Sequence, residues 1–396
     1  MGRPLASAAL AAALATLSAC TGSAPTPAPN PASIPASSPS ALSSPAPAPG
    51  GRPFAVTAQD QFGDPWAMSF LPGTRWLAVT ERTGTLWLRD QDTGARVEVT
   101  GVPAVVAAGQ GGLGDVVPAP GFAENGLLYL SWAERGDGGV GAAVGRARLV
   151  ADGATAHLEG LSVIWRQAPK TDGSGHFSHR IAFSPDGAHL FVSSGDRQKM
   201  EPAQDLGTTL GTIVRLTPEG APAPGNPFAD RGGAAAEIWS YGHRNPLGLA
   251  FDTDGRLWST EMGPQGGDEL NLITPGANYG WPRASQGSHY GGRAIPDHAA
   301  GDGFIAPVAW WNPSVSPGSL LIYSGDRFPA WTGDAFVGAL SGRALIRIDL
   351  DGERATIADT WDLAARIRAV AQAPDGSLWL LEDAPSGRLL RLDPAG

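Results

Sequence analysis

The sequence predicts an all-β protein, a six-bladed β-propeller, and three observations carry that expectation. One hairpin pattern recurs six times, Gly and Pro are abundant at 54 and 35 residues, and 13 Trp are spread through short apolar runs. This composition favours many short strands separated by turns over long helices. At 396 residues the chain could hold two or three average domains, so the repeats decide the domain count.

In the first copy PWAMSFLPG at 65–73 leads to WLAVT at 76–80, and in the second DVVP at 115–118 leads to GLLYL at 126–130. IAFSPDG at 181–187 precedes HLFV at 189–192, and LAFDTDG at 249–255 precedes Leu257 and Trp258. A looser fifth copy pairs LLIY at 320–323 with DAFV at 334–337, and the sixth runs from AVAQAPDG at 369–376 into LWLL at 378–381. Spacings of about 50 to 70 residues suit a four-stranded blade with its loops. TLWL at 85–88 and ALIRI at 344–348 are expected as outer strands. A lone blade cannot bury both faces, so the ring must close, and FAV at 54–56 is expected to pair with LLRL at 389–392. Two stacked β-sandwiches would give no reason for one hairpin to recur six times.

Ahead of the propeller, expected over 53–396, the chain reads as an export signal over 1–20 and a tether over 21–52. Arg3 supplies the positive start, and the apolar run 5–17 is too short to span a bilayer. Leu17-Ser18-Ala19-Cys20 resembles a lipoprotein signal in which Cys20, the single Cys, carries the lipid. The Pro/Ala/Ser-rich tether reads as disordered. The chain is thus expected to be exported and to meet the membrane only through this anchor, facing the periplasm or cell exterior. With 28 Lys and Arg against 38 Asp and Glu, a net charge of −10, no basic face is available for nucleic acid.

Counting back ten residues from the turn reaches Gln110 from Pro120, His176 from Asp186 and Arg244 from Asp254. Arg366 and Arg368 lie nine and seven before Asp375. Equivalent positions in a propeller are related by rotation about its axis, so these groups, with Asn245, are expected on one rim of the channel. Guanidinium forks bind carboxylates bidentately, which suits a planar polyanionic ligand. His176 is the rim group able to exchange a proton near neutral pH, whereas His179 and His243 read as packing or supporting groups.

The combination of GQGGLG at 109–114, His176-x-x-x-Arg180, GHRNP at 242–246, Gly263-Pro264 with Asp268-Glu269, NYGWP at 278–282 and Arg366-Ile367-Arg368 resembles the soluble quinoprotein glucose/sorbosone (aldose sugar) dehydrogenases. The resemblance covers essentially all of 65–392. It implies pyrroloquinoline quinone (PQQ), a tricarboxylate ortho-quinone, together with calcium (Ca2+), and oxidation of aldose sugars to lactones with electrons passed to an exocellular acceptor. Carried over by motif, His176 is the general base and Gln110, Arg244, Asn245, Tyr290, Ser314, Ser341, Arg366 and Arg368 surround the cofactor. Carbonyls of Gly263 and Pro264 hold the calcium, and Glu269 with the Tyr279 carbonyl resembles a second calcium site. Three departures stand out. Ser341 and Thr212 occupy positions where Lys is usual, and Ser178-His179 replaces a small pair. One lost cationic contact is worth about 1.5–3 kcal/mol. Two other readings of a propeller remain at this stage: a module that binds a sugar or protein without redox chemistry, and a calcium-dependent lactone hydrolase.

Overall fold

Six four-stranded antiparallel blades make up the fold of the computed structural model, which describes residues 51–395 together with Gly2. Cys20 and the tether up to residue 50 lie outside the described residues. The first blade contains Pro65–Phe70, Trp76–Glu81, Thr85–Asp90 and Arg96–Thr100. The second contains Leu113–Pro118, Leu127–Gly136, Gly139–Ala151 and Ala156–Arg166. A short parallel pairing, Val99 to Ala156 and Thr100 to His157, joins these two into one eight-stranded sheet. The inner strands of the next three blades are Ser178–Phe183, Pro246–Phe251 and Pro317–Ile322. The runs 85–88 and 344–348, expected as outer strands, are third strands, with Arg96–Thr100 and Arg354–Asp362 paired outside them.

The ring closes as the sequence suggested. Ile367–Gln372, Leu378–Glu382 and Gly387–Pro394 form three strands of the sixth blade, and Phe54–Phe62 adds the fourth. Val56 stands opposite Leu392 in that pair.

Alternation along the strands explains why they read as nearly continuous apolar runs. Successive side chains point to opposite faces, and in a propeller both faces meet a neighbour. Trp76 and Ala78 join a core with Leu113, Leu128 and Trp132 of the second blade, whereas Leu77 and Val79 join Trp379, Leu381 and Leu389 of the sixth. Each fully buried large apolar side chain contributes about 1.5–3 kcal/mol, so these interfaces hold the blades together.

Near the entrance of every inner strand the register slips: at Pro65/Ala67, Leu113/Val116, Ser178/Ile181, Pro246/Gly248, Pro317/Ser319 and Ile367/Ala369. Bulges of this kind re-aim side chains. Hydroxyls from second strands satisfy the displaced backbone. Thr80 Oγ1 accepts the Ala67 N–H at 3.0 Å and donates to the Gly114 carbonyl of the next blade at 2.7 Å. Ser131 accepts Asp115 N–H at 2.8 Å; Ser193 accepts Arg180 N–H at 2.9 Å and donates to the Pro246 carbonyl at 3.0 Å.

Arg180 bolts the axis. Its guanidinium donates to the Leu247 carbonyl (2.8 Å), the Gly318 carbonyl (2.7 Å) and Asp115 Oδ1 (3.2 Å), and lies 3.9 Å over the Trp66 ring. One side chain from the third blade therefore touches the first, second, fourth and fifth.

Candidate active site

Three sets of equivalent positions converge on one cavity of about 480 Å³, a size suited to a small organic ligand. The residue preceding an inner strand supplies Asp64, Phe177, Asn245, Ser316 and Arg366. The second residue of an inner strand supplies Trp66, His179, Leu247 and Arg368. The residue after a second strand supplies Arg82, Met262, Leu340 and Asp383. At the second position the remaining two blades have Gly114 and Gly318. A Cβ on Gly114 would stand 2.0 Å from His179 Cε1, so only glycine leaves room for that imidazole.

His176 is held beside this cavity with its ring anchored. Its backbone N–H donates to Gln110 Oε1 at 2.7 Å, and Gln110 itself lines the cavity. Nδ1 lies 2.6 Å from Asp196 Oδ1. That carboxylate also accepts Gln198 N–H (2.8 Å), Met200 N–H (3.2 Å) and Trp281 Nε1–H (2.8 Å). A carboxylate can only accept from Nδ1, so the proton is on Nδ1 and Nε2 carries the free lone pair. Burial lowers the His176 pKa, the Asp196 bond works against that, and the Arg244 charge adds to the lowering. The imidazole is neutral at pH 7. His176, Ser178 and His179 all have positive φ, 49°, 59° and 56°, a strained run of the kind that clusters at functional sites.

On the facing wall, Asp383 is shared between two guanidiniums. Arg366 Nε donates to Oδ2 at 2.7 Å, and Arg368 donates to Oδ1 from Nη2 at 2.6 Å and from Nε at 2.9 Å. Burial works to raise the Asp383 pKa, but Arg368 and Arg366 together hold it below the ordinary value. Burial lowers the Arg368 pKa, with Asp383 opposing.

Arg244 is buried against the turn at 262–264. Nη1 donates to the carbonyls of Met262 (2.9 Å) and Gly263 (2.8 Å), and Nη2 to the Tyr290 hydroxyl at 3.2 Å. The Gly263 carbonyl is thus already turned towards a cation. Asp268 shapes the turn by accepting the N–H groups of Gly263 (2.9 Å), Val315 (2.7 Å) and Ser316 (2.6 Å). Among the described residues no three carboxylates, imidazoles or thiols are placed to hold a metal ion together, so a cation there would draw on carbonyl and ligand oxygens. Such an all-oxygen set fits calcium. Glu269, Glu261, Gly263 and Tyr279 line a separate cavity of about 10 Å³. Burial and then the neighbouring Glu261 charge push the Glu269 carboxyl well above its usual value, a repulsion that a cation would relieve.

The structure brings together Gln110, Asn245, Tyr290, Arg366 and Arg368 as cavity-lining groups, with His176 and Arg244 bonded directly to two of them. It places Ser314 and Ser341 differently. Ser314 Oγ donates to Asp268 Oδ1 at 3.3 Å and accepts the Gly266 N–H at 3.1 Å, supporting the turn and standing apart from the cavity lining. Ser341 Oγ is tied to the Ser314 carbonyl (3.1 Å) and to Ser316 Oγ (2.8 Å), and of these three serines Ser316 is the one that lines the cavity. Arg343 donates to the Ala364 carbonyl and does not line the cavity. Thr212 is buried and donates to the Thr209 carbonyl at 2.9 Å. Sequence reasoning missed Asp196, Arg82 and Asp383. All three follow a second strand closely, and aligning strand exits as well as entrances would have found them.

A propeller with a histidine–carboxylate pair at the rim of an arginine-walled axial cavity defines the class, and comparison with known proteins narrows it. Residues 62–391 match the glucose/sorbosone dehydrogenase family model, and the chain belongs to that family. It is 40% identical over 343 residues to the aldose sugar dehydrogenase YliI of Escherichia coli (strain K12), covering 85% of this chain and 91% of that protein. It is 26% identical over 396 residues to quinoprotein glucose dehydrogenase B of Acinetobacter calcoaceticus, covering 78% and 80%. The crystal structure of the apo-form E. coli soluble aldose sugar dehydrogenase superposes with TM-score 0.82 at 39% identity, covering 86% of this chain and all of that one. The PQQ-bound aldose sugar dehydrogenase of Streptomyces coelicolor superposes with TM-score 0.72 at 30% identity, covering 88% and 99%.

Proposed function

We propose that this chain is a PQQ- and calcium-dependent aldose dehydrogenase that oxidises the C1 hydroxyl of a sugar to the lactone. The observation that carries the reading is the His176–Asp196 pair, which offers a neutral Nε2 beside a cavity walled by Arg366 and Arg368. The wall fits a planar tricarboxylate, since each guanidinium can fork onto a carboxylate once Asp383 is displaced. PQQ, when bound, supplies the two-electron hydride acceptor. Calcium on the Gly263 and Pro264 carbonyls would supply Lewis-acid polarisation there.

The chain's own part is proton transfer and positioning. His176 Nε2 takes the C1 hydroxyl proton as the C1–H pair leaves as hydride, and the lactone carbonyl forms. Asp196 keeps Nδ1 protonated and stabilises the imidazolium that results. Gln110 fixes the backbone of His176, and Trp281 fixes Asp196. With a side chain only 7% exposed, His176 is shielded from bulk water that would compete for its lone pair.

The test is to titrate PQQ and calcium into the purified protein, follow the visible absorption, and then measure dye reduction with a panel of aldoses. Saturable binding with sugar-dependent turnover is expected; no binding, or binding without turnover on any aldose, ends this reading. We further place the enzyme outside the cytoplasmic membrane, anchored by a lipid on Cys20. Fatty-acid labelling that survives Cys20→Ala would exclude that anchor.

A further inference from the structure

The proposed function gives work to Arg366 and Arg368, and Arg244 holds the turn at 262–264, but a third cavity-lining guanidinium, Arg82, is left without a task. Arg82 leaves the second strand of the first blade at Glu81 and lines the cavity with a side chain 20% exposed. Nε donates to the Gly111 carbonyl at 3.2 Å, Nη2 donates to the Gly109 carbonyl, and Nη1 stands 3.4 Å from Asp64 Oδ2. Gln110 lies between those two carbonyls, so the fork also steadies the loop that presents Gln110 to His176. These contacts use three of five N–H donors, which leaves two for a ligand.

Charge around Arg82 points the same way. The wall formed by the first and sixth blades carries three guanidiniums, Arg82, Arg366 and Arg368, against two carboxylates, Asp64 and Asp383. Asp64 relates to Arg82 as Asp383 does to the arginine pair: a carboxylate on a cavity-lining guanidinium, itself lining the cavity. Both ion pairs could be opened by an incoming carboxylate of better fork geometry. Repulsion from Arg366 and Arg82 adds to the effect of burial on Arg368, so a bound anion would relieve all three.

We propose that Arg82 is a cofactor-binding residue: its guanidinium takes one carboxylate of the quinone alongside Arg366 and Arg368, and Asp64 is the counter-ion that this carboxylate replaces. The assignment rests on the quinone reading of the cavity. It adds the first blade to the binding surface and makes Asp64 a brake on affinity.

The experiment is a PQQ titration of the full protein in the presence of calcium, read by quenching of tryptophan fluorescence, for the unaltered chain, Arg82→Gln, Arg82→Lys and Asp64→Asn. Arg82→Gln is expected to raise the PQQ dissociation constant by about 10- to 100-fold, the loss of one charged hydrogen-bonding contact. Arg82→Lys restores the charge without the fork and should recover much of that loss. Asp64→Asn removes the competing carboxylate and should tighten binding. A PQQ affinity in Arg82→Gln within about threefold of the unaltered chain overturns the assignment, since that is under half of the smallest loss expected on a logarithmic scale. Arg82→Lys as weak as Arg82→Gln also overturns it and marks a loop clamp only. Asp64→Asn keeps the Arg82 side chain and its loop contacts, so it decides the matter even where an Arg82 variant fails to fold: unchanged or weaker binding there rejects the proposal. If the unaltered chain binds no PQQ, the quinone reading itself falls, whereas binding that ignores residue 82 removes only this inference.

Discussion

Asp196→Asn is the sharpest probe of the catalytic pair, because all four partners of that carboxylate are donors. Oδ1 accepts from His176 Nδ1 and Gln198 N–H, and Oδ2 accepts from Trp281 Nε1–H and Met200 N–H. An asparagine must turn its NH2 towards one of these two pairs. Facing Trp281 and Met200 it would strand two donors that have no second tautomer. Facing His176 and Gln198 it strands only the backbone N–H of Gln198, because the imidazole can move its proton from Nδ1 to Nε2. The second orientation is therefore favoured, and it removes the lone pair proposed to accept the substrate proton. One stranded buried donor costs about 1–3 kcal/mol of stability. Loss of the general base costs about 10²–10⁴-fold in kcat. The assay is dye-coupled sugar oxidation at saturating PQQ and calcium, run beside a PQQ titration and a urea melt. A kcat lowered by at least about 10²-fold with PQQ affinity unchanged is expected. If kcat stays within about threefold, far short of the loss expected for a general base, Asp196 does not set the tautomer and the reasoning fails.

Four further outcomes follow from the geometry. Burial lowers the His176 pKa, and a protonated imidazole cannot accept a proton; kcat/KM should therefore fall with acid at a midpoint below 6.5, and a midpoint above that value would contradict the burial argument. His179 is pushed down to about 3 by burial and by Arg180, so the unfolded chain binds its proton first. Stability from this group is complete above the unfolded imidazole value and drains away as pH falls towards about 3, a slope that urea melts should show and His179→Gln should flatten. Arg180→Met leaves Asp115 buried without its cation and should cost about 3–5 kcal/mol in urea denaturation, with the double variant Arg180→Met, Asp115→Asn costing less than the sum of its parts. Gly114→Ala drives a Cβ to within 2.0 Å of His179 in the unrelaxed structure, and should cost about 1–3 kcal/mol and weaken PQQ binding by displacing the cavity floor.

The repeat made most of the architecture legible in the sequence. Turn dipeptides such as Asp254-Gly255 and Asp375-Gly376 mark hairpins by local backbone preference, so six blades could be counted and the closing strand placed to the right partner. Counting back from those turns reached His176 and Arg244 for the same reason: the inner strands of these blades have similar lengths. The cavity-lining ring lies one residue closer, at Phe177, Asn245 and Arg366, and this offset comes from bulges that leave no mark on a count. Ser314 and Ser341 show a different limit. A hydroxyl at a rim position can spend its hydrogen bonds on its own loop, and the Asp268 carboxylate that claims Ser314 comes from 46 residues earlier in the chain. Asp196 and Asp383 sit at strand exits, which a count made from entrances alone passes over, whereas the role of Arg180 depends on contacts between blades, which no local pattern encodes.

The axial bolt has a kinetic consequence. Because Arg180 ties blades together across the axis with its hydrogen bonds to Leu247, Gly318 and Asp115, we expect the cavity to open at one end of the ring only. On the proposed function, sugar, product and oxidant would then share one doorway. Turnover should then alternate, the first product leaving before the oxidant docks, and each partner in large excess should obstruct the other.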